Sequence, residues 1–344
     1  MPYTQSVLTA ARTIETRRAE MPDAVEPGWA RLRLATASLC GTDMHYYRHF
    51  ANAGFALNRP TTLGHEACAF VEEGNGMADA HGAALAKGTL VAINPVIACG
   101  ECERCGTGDI NMCATKRFPG SATTVPHIDG FFRERFDFPA RCLRVVGDVE
   151  PDHLTFAEPL ACAMHSIERA GVEAGMKVLV TGCGPMGLLA AVAARAKGAE
   201  VHASDLREDA LGVAEAAGAS RTFMSGRDAM GTDYDVVVEA SGSPHGFNAA
   251  LDAARKQGTL SILSLIQPSE VPTNLHLIAL KELRIVGSIL FTHEFDRAVD
   301  LIASGTVDFG ALVAGRYPVS RTGEACERMA SGRAAGKVLV TPEA

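Results

Sequence analysis

The sequence predicts an α/β fold in two parts, one irregular and mostly β, the other built from alternating strands and helices. Between about residue 30 and residue 150, short β-rich runs such as 90–93 and 140–146 are interrupted by Gly, Pro and polar turns. After Pro159, strands alternate with helix-like segments, which predicts a parallel sheet with crossover helices. With 344 residues, 47% of them apolar, the chain is long enough for two domains.

Six candidate strands follow Pro159, the number expected of a dinucleotide-binding sheet. They are Lys177–Thr181, Glu200–Ser204, Arg221–Met224, Asp235–Glu239, Thr259–Leu265 and Arg284–Leu290. The helix-like segments between them include Pro185–Lys197, Glu208–Ala217 and Ser243–Lys256, and the last two precede Gly218 and Gly258, which we interpret as C-terminal caps. Beyond residue 293 we predict helices over Glu294–Ser304 and near Gly323–Ser331, then a strand over Lys337–Thr341.

The formal charge of −8 disfavours nucleic acids and anionic membranes as partners, because both are bound through basic surfaces. No apolar run approaches the roughly 18 residues of a transmembrane helix, and residues 1–29 carry charges throughout, unlike a signal peptide. We therefore expect a cytoplasmic protein. The sequence has ten cysteines, and in that reducing compartment a dense cluster of them indicates metal binding rather than disulfides.

Four cysteines lie close together with the spacing C-x2-C-x2-C-x7-C: Cys99, Cys102, Cys105 and Cys113. Four thiolates at this spacing can complete a tetrahedral shell, which predicts a structural zinc site. The alternative is a loop of reduced cysteines, which would expose crowded thiols of a residue type that is usually buried. A zinc finger that binds nucleic acid is less consistent still with the acidic charge.

The segment Gly182–Gly187 follows a predicted strand and begins a predicted helix, the context in which G-x-G-x-x-G binds a dinucleotide. Gly182 permits the tight turn, Gly184 lets the backbone approach the pyrophosphate, and Gly187 lets the helix pack against the sheet. The other residues expected to contact the cofactor are Pro185 and Met186 in this loop, and Leu263, Leu265, Ser288 and Leu290 in the last two predicted strands.

Asp205 ends the second predicted strand, where a carboxylate binds the adenosine ribose and repels a 2′-phosphate. The sequence therefore favours NAD over NADP. Two alternatives stay open: Asp205 can simply cap the next helix, and the nearby Arg207 can weaken the discrimination. Glycine turns that bind no nucleotide are a further alternative.

Five segments resemble the zinc-containing medium-chain alcohol and polyol dehydrogenases, in that family's order along nearly the whole chain. They are Cys40-Gly-Thr-Asp43, Gly64-His65-Glu66, the cysteine lobe of residues 99–113, Phe156–Leu160 and Gly182–Gly187. The resemblance implies a GroES-like catalytic domain over residues 1–158 and 294–344, a Rossmann NAD-binding domain over 159–293, and an active site in the cleft. It also implies a homo-oligomer, a tetramer or dimer joined through the edges of the Rossmann domains.

The resemblance further implies a catalytic zinc held by Cys40 and His65, with Glu66 and Glu158 as carboxylates that bind the metal directly or through its water. An open position on such a zinc lowers the pKa of a bound hydroxyl group. Thr42 lies at the family's relay position, where its hydroxyl passes the proton through the cofactor ribose to His45. The alternative for His45 is an ordinary surface histidine.

Within the family the resemblance is strongest to members that oxidise sugar acids, through segments 43–47, 92–95, 117–122 and 126–130. We expect oxidation of L-idonate at its fifth carbon to 5-keto-D-gluconate, with oxidation of sorbitol or xylitol as the alternative. A zinc-stabilised nucleotide-binding sensor is the non-enzymatic alternative, although it would not need the residues of the catalytic centre.

Substrate contacts are expected at Tyr46, Arg117 and Phe118. Arg117, with Lys116 beside it, is the candidate cation for a substrate carboxylate, the alternative being a solvated pair of charges. Two positions depart from the family pattern, because Leu290 stands where polyol dehydrogenases have an arginine and Ala210 stands where sorbitol dehydrogenase has another.

Overall fold

The computed structural model describes residues 2–332 and 334–343. The chain divides into two compact units, the first formed by Met1–Glu158 with Phe295–Ala344 and the second by Pro159–Glu294. The second boundary thus lies one residue beyond the predicted division between residues 293 and 294.

The first unit begins with a β hairpin and continues with short strands around one long central strand. Its elements as far as residue 154 are β1 (Pro2–Ala10), β2 (Thr13–Glu20), β3 (Trp29–Ser38), α1 (Gly41–His49), β4 (Ala51–Asn52), β5 (Phe55–Ala56), β6 (Glu66–Glu73), β7 (Leu90–Ile93), α2 (Glu103–Gly106), β8 (Arg135–Pro139), β9 (Leu143–Val145) and α3 (Pro151–Leu154). Strand β3 is buried along nearly its whole length, as expected for the middle of a sheet.

The second unit alternates strands and helices. Its elements are α4 (Ala157–Ala170), whose first two residues belong to the first unit, β10 (Lys177–Thr181), α5 (Pro185–Ala196), β11 (Glu200–Asp205), α6 (Glu208–Ala216), β12 (Arg221–Met224), β13 (Tyr234–Glu239), α7 (Pro244–Ala253), β14 (Ala254–Ile262), α8 (Leu275–Lys281) and β15 (Arg284–Gly287). Among the described residues these strands form one six-stranded sheet in the order β12-β11-β10-β13-β14-β15, and every neighbouring pair is parallel. The predicted α/β class and six-stranded sheet are confirmed.

The end of the chain returns to the first unit. It contains α9 (Glu294–Ala303), β16 (Val313–Pro318), α10 (Thr322–Ala330) and β17 (Lys337–Thr341). Strand β17 pairs antiparallel with β3, with Leu339 opposite Ser38, and parallel with β16. In the described part of the chain the resulting sheet has the order β16-β17-β3-β6-β7-β9, with β8 also paired to β3. Residues more than 270 positions apart in sequence therefore meet around β3.

Helix α7 ends earlier than predicted. It stops at Ala253 instead of continuing to Lys256, and Ala254 is already extended, with ψ of 134°. The Lys281 ammonium donates hydrogen bonds to the carbonyls of Leu251, Asp252 and Ala254 at 3.2, 2.7 and 2.8 Å. Lys281 of another helix thus satisfies the carbonyls at the C-terminal end of α7. The prediction that Gly258 caps this helix was therefore wrong.

The last two strands of the parallel sheet are also shorter than predicted at their carboxyl ends. Strand β14 ends at Ile262 and β15 ends at Gly287. Leu263, Leu265 and Ser288 therefore lie in the loops that leave the sheet, at the edge where parallel α/β sheets bind ligands. Among the described residues, no helix combines the length and apolar character needed to cross a membrane.

Candidate functional site: two metal centres and a nucleotide loop

Asp43 connects the two segments that carry Cys40 and His65. It is fully buried on the first turn of α1, and its carboxylate accepts hydrogen bonds from the Cys40 N–H at 2.9 Å and the Gly64 N–H at 3.1 Å. Cys40 immediately precedes the helix, so Asp43 occupies the position of an acid that caps a helix start. One carboxylate thereby holds a cysteine and a histidine that are distant in sequence.

His65 is buried beside this carboxylate, with its Nδ1 atom 3.8 Å from Asp43 Oδ1. Its other face packs against Phe118, with ring centroids 5.1 Å apart. Burial opposes charging of the imidazole, but the negative groups nearby, above all Asp43 and Cys40, raise the pKa of His65 well above its usual value. The Nδ1 atom is buried without a hydrogen-bond partner. The surroundings of His65 favour positive charge, and its Nδ1 atom lacks a hydrogen-bond partner. Both features suit a metal ion.

Glu66 is held in place by two buried groups. Its Oε1 atom lies 2.6 Å from the Lys337 ammonium, and its Oε2 atom accepts a hydrogen bond from the Ser38 hydroxyl. Glu66 is 0% exposed and Lys337 is 1% exposed, so this is an ion pair removed from water. Burial opposes the charge on Lys337, but Glu66 and other negative groups raise its pKa, so the lysine remains protonated.

Ligand atoms of Cys40, His65 and Glu66 all lie within 4.8 Å of one another. One thiolate, one imidazole and one carboxylate match the three-ligand donor sets that hold catalytic zinc. Glu158 is also buried, and its charge acts on both His65 and Lys337. The residues thus fit the zinc ion that the sequence predicts.

Thr42 and His45 lie one turn apart on α1, and both are half-buried. Burial, followed by the charges of Arg48 and His49, lowers the pKa of His45. His45 is therefore neutral at neutral pH and able to accept a proton.

Two of the three residues expected to contact substrate, Tyr46 and Arg117, make contacts within the protein. Tyr46 is 0% exposed, and its hydroxyl accepts a hydrogen bond from the Ala122 N–H at 2.9 Å. Tyr46 therefore supports the backbone at Ala122 and has no solvent-exposed surface. Arg117 pairs through its backbone with Ile97, and its guanidinium lies 5.6 Å from the centre of the Trp29 ring.

Successive residues of an extended segment point in opposite directions. Phe118 packs on His65, and the neighbouring Arg117 consequently points away from His65. Lys116 donates a hydrogen bond to the Cys113 carbonyl at 3.4 Å, at the cysteine lobe. Neither cation is placed to bind a substrate carboxylate beside His65, whereas Phe118 lies next to the predicted metal ligands.

The cysteine lobe brings its four sulfurs together. The Sγ atoms of Cys99 and Cys105 are 3.8 Å apart, those of Cys102 and Cys105 are 3.6 Å apart, and those of Cys113 and Cys99 are 3.6 Å apart. Zn–S bonds of about 2.3 Å place the sulfurs of a tetrahedral site about 3.8 Å from one another. The spacing therefore fits a zinc ion.

The electrostatics of this lobe favour thiolate at Cys99 and disfavour it at Cys105. A hydrogen bond from the Glu101 backbone N–H, followed by one from the Thr115 side chain, lowers the pKa of Cys99 to about 6. At Cys105, a backbone hydrogen bond from Gly100 lowers the pKa, but burial and the neighbouring sulfurs raise it to about 12. Four crowded thiolates repel one another, so they can all be ionised only beside a cation. A zinc ion would be that cation.

The glycine loop has the backbone that the pattern predicts. Gly182 has φ of +91°, and a Cβ atom there would lie 2.5 Å from Ser241 Cα. A Cβ atom at Gly187 would lie 1.8 Å from the Gly182 carbonyl oxygen. By contrast, nothing lies within 4 Å of a Cβ atom built on Gly184, the residue that precedes α5. Protein packing thus requires Gly182 and Gly187, while Gly184 leaves open space at the helix N-terminus for a phosphate group.

Asp205 ends β11 beside this loop. Its Oδ2 atom accepts a hydrogen bond from the Cys183 N–H at 2.7 Å, and its Oδ1 atom accepts one from the Arg207 N–H at 2.9 Å. Both contacts fix the carboxylate at the carboxyl end of the strand. Pro185 and Met186 form the first turn of α5. Leu265 is 50% exposed, and Leu290 has φ of +53° in the loop after β15.

Sequence reasoning missed three residues that hold the predicted metal ligands in place: Ser38, Asp43 and Lys337. The position of Asp43, three residues after Cys40 at a helix start, was a local signal for a capping acid. Ser38 and Lys337 had no such signal, because they meet Glu66 only through the pairing of β3 with β6 and β17.

Comparison with known proteins identifies the families of the two units. Residues 26–148 match the alcohol dehydrogenase GroES-like domain, and residues 185–304 match the zinc-binding dehydrogenase family. The chain is 31% identical to L-idonate 5-dehydrogenase (NAD(P)(+)) of Escherichia coli (strain K12), over 89% of this chain and 90% of the relative. It is 27% identical to sorbitol dehydrogenase of Bacillus subtilis (strain 168), over 94% and 92% of the two chains.

Among solved structures, L-idonate 5-dehydrogenase from Escherichia coli K-12 superposes with a TM-score of 0.90 at 27% identity, covering 99% of this chain and 98% of that one. An enzyme is thus favoured over the non-enzymatic sensor. The chain belongs to the zinc-binding dehydrogenase family, and it is a zinc-dependent, NAD(P)-dependent oxidoreductase of the alcohol and polyol dehydrogenase type.

Proposed function

We propose that this enzyme oxidises a secondary alcohol of a sugar acid, converting L-idonate to 5-keto-D-gluconate with NAD as the hydride acceptor. The observation that carries the proposed chemistry is the cluster of half-buried Cys40 with buried His65 and Glu66, in a chain that also has the Gly182–Gly187 loop. The sugar-acid substrate rests on the similarity to L-idonate 5-dehydrogenase, at 31% identity.

In this proposal Cys40, His65 and Glu66 would hold the catalytic zinc, and Glu158 would orient a hydroxyl group or water beside it. When bound, zinc would lower the pKa of the hydroxyl group, and NAD at the glycine loop would supply the hydride acceptor. Lys337 and Ser38 fix the Glu66 carboxylate, and Asp43 fixes the backbone at Cys40 and Gly64. These contacts preorganise the ligands before the substrate binds.

The chain supplies its own route for the proton. We assign the Thr42 hydroxyl as the first acceptor of the substrate proton and the His45 imidazole as the group that releases it. The lowered pKa of His45 supports this assignment, because a neutral imidazole is needed to accept a proton at neutral pH.

A polyol such as sorbitol or xylitol is the second candidate substrate. It is favoured by the position of Arg117, which leaves the expected cation against Trp29 and away from His65. A sugar acid needs a positive partner for its carboxylate, whereas a polyol needs only hydrogen-bonding groups.

The substrate test compares purified enzyme with L-idonate and with sorbitol, following reduction of NAD. We expect kcat/KM for L-idonate to exceed that for sorbitol by at least about tenfold, or about 1.4 kcal/mol, because the chain is 31% identical to L-idonate 5-dehydrogenase and 27% identical to sorbitol dehydrogenase. Parallel reactions with D-gluconate show whether any carboxylate suffices or the L-ido configuration is required. A preference for sorbitol would reassign the enzyme to the polyols and leave the zinc centre unaffected.

We also propose a homo-oligomer, a dimer or tetramer, that uses the edge of the parallel sheet. Strand β15 lies at that edge, and four large apolar side chains on or near it are exposed: Leu275 at 70%, Leu280 at 78%, Ile285 at 36% and Ile289 at 57%. Exposed apolar groups beside an unpaired strand are typical of an association surface.

Replacing both Ile285 and Ile289 with glutamate should convert the oligomer to monomers, because charge would then be buried in the apolar contact. Light scattering after size exclusion measures the mass directly. The control is Val125→Glu, a change of the same kind at a side chain that is 78% exposed in the first unit. If the double variant keeps the wild-type mass, the association surface lies elsewhere.

The cysteines support a cytoplasmic location. All ten are free thiols in this structure, and four of them form the zinc-type lobe of residues 99–113. Thiols that serve as metal ligands persist in a reducing compartment, so we propose the cytoplasm as the site of action.

A further inference from the structure

Arg207 follows the strand end at which dinucleotide-binding folds recognise the 2′-phosphate of NADP. It follows Asp205 by two residues, and its backbone N–H donates a hydrogen bond to the Asp205 carboxylate at 2.9 Å. In dinucleotide-binding folds the acid at the end of this strand binds the adenosine ribose, and a nearby arginine accommodates the 2′-phosphate of NADP. The chain thus carries both an acid that selects NAD and an arginine able to select NADP.

The Arg207 guanidinium is already paired. Its Nε atom lies 2.9 Å from Asp209 Oδ1, and its second nitrogen donates a hydrogen bond to Asp209 Oδ2, so the contact is bidentate. A guanidinium offers the same planar pair of donors to a carboxylate as to a phosphate. A phosphate must therefore displace the Asp209 carboxylate to use these donors.

Asp209 also adds negative charge to the place where a 2′-phosphate would lie. It belongs to the first turn of α6, whose N-terminus would otherwise attract an anion. Together with Asp205 it presents two carboxylates to an incoming group that carries nearly two negative charges. The Arg207–Asp209 ion pair and the repulsion by the two carboxylates therefore both disfavour NADP.

We propose that Asp209 is a specificity-determining residue that favours NAD over NADP by engaging Arg207. The proposal rests on the nicotinamide cofactor of the proposed function and not on the identity of the alcohol substrate. Asp209 acts through Arg207, so it is a positioning residue and makes no contact with the reacting atoms.

The test is equilibrium binding of NADH and NADPH to the purified zinc-loaded enzyme, followed by cofactor fluorescence without any alcohol substrate. We expect Asp209→Ala to lower Kd for NADPH by about fivefold, an effect in the range of one exposed ion pair, and to change Kd for NADH by less than about twofold. Arg207→Ala with Asp209→Ala should lose most of that gain, because the larger part of it requires the donors of the Arg207 guanidinium that Asp209 no longer engages.

Glu208→Gln is the matched control, because it removes a negative charge from the same helical turn without touching the pair. A gain in Glu208→Gln equal to that in Asp209→Ala would overturn the proposal and assign the effect to net charge. A gain that persists in the double variant would overturn it as well, since repulsion alone would then explain the preference. Normal NADH binding with no turnover of L-idonate would count against the proposed substrate only.

Discussion

Cys40→Ser should lower kcat/KM by about 1,000-fold, because it replaces the thiolate of the catalytic centre with a poor zinc ligand. Cys40 lies within 4.8 Å of the His65 and Glu66 ligand atoms, and the described residues provide no other cysteine in that set. Metal analysis should find two zinc ions per wild-type chain and one in the variant. Steady-state kinetics and elemental analysis of the same preparation measure both effects.

Two further cysteine variants test whether the loss of activity and of one zinc ion is specific to Cys40. Cys113→Ser should also leave one zinc ion per chain, but it removes the ion from the four-sulfur lobe and therefore lowers Tm. Cys68→Ser is the matched control, since Cys68 is buried in the same unit, lies outside both groups of predicted metal ligands, and donates a hydrogen bond to the Pro151 carbonyl. Wild-type turnover with two zinc ions in Cys40→Ser would exclude Cys40 as a ligand, and an unchanged count in Cys113→Ser would exclude the structural site.

The cysteine lobe and the glycine loop were predictable because each is encoded within a short segment. The spacing of Cys99 to Cys113 alone brings four sulfurs together, and the strand, loop and helix around Gly182 occur in sequence order. The catalytic centre was predictable only through the family resemblance, because its ligands lie on separate segments. Sequence periodicity has no information on which distant segments meet.

Arg117 shows why the substrate contacts were harder to predict. The residue type suited a carboxylate, but the direction of its side chain depends on the backbone pairing of Arg117 with Ile97. That pairing directs Phe118 to His65 and Arg117 to Trp29. A shift of one residue in such a segment exchanges the two faces, so local composition cannot determine which side chain reaches the site.

The two lysines that begin β10 and β17 make the same point with identical sequences. Both strands read Lys-Val-Leu-Val-Thr, yet the Lys177 side chain is 30% exposed and that of Lys337 is 1% exposed. Lys177 pairs with the exposed Asp233, while Lys337 pairs with the buried Glu66. Nothing in the five residues distinguishes them, because the difference arises from the neighbours that the fold provides.

Because the two strands have the same sequence, Lys177 serves as an internal control for the buried Lys337–Glu66 ion pair. Lys337→Met should lower the free energy of unfolding of the metal-free protein by about 3 kcal/mol, because it leaves the Glu66 carboxylate buried without its cation. Lys177→Met removes an exposed pair from the same sequence context and should cost less than about 1 kcal/mol. Denaturant unfolding of both variants, after chelation and again with zinc restored, measures the two losses.

The presence of zinc should change the stability loss in Lys337→Met but not the loss in Lys177→Met. A bound zinc ion supplies positive charge next to Glu66, so the loss in Lys337→Met should be smaller in the zinc-loaded protein than in the metal-free protein. Lys177→Met is remote from the metal ligands in sequence and lies in the other unit, so its loss should not depend on zinc. Equal losses in the two variants, or a Lys337→Met loss that zinc leaves unchanged, would show that Lys337 does not stabilise the Glu66 carboxylate at the metal centre.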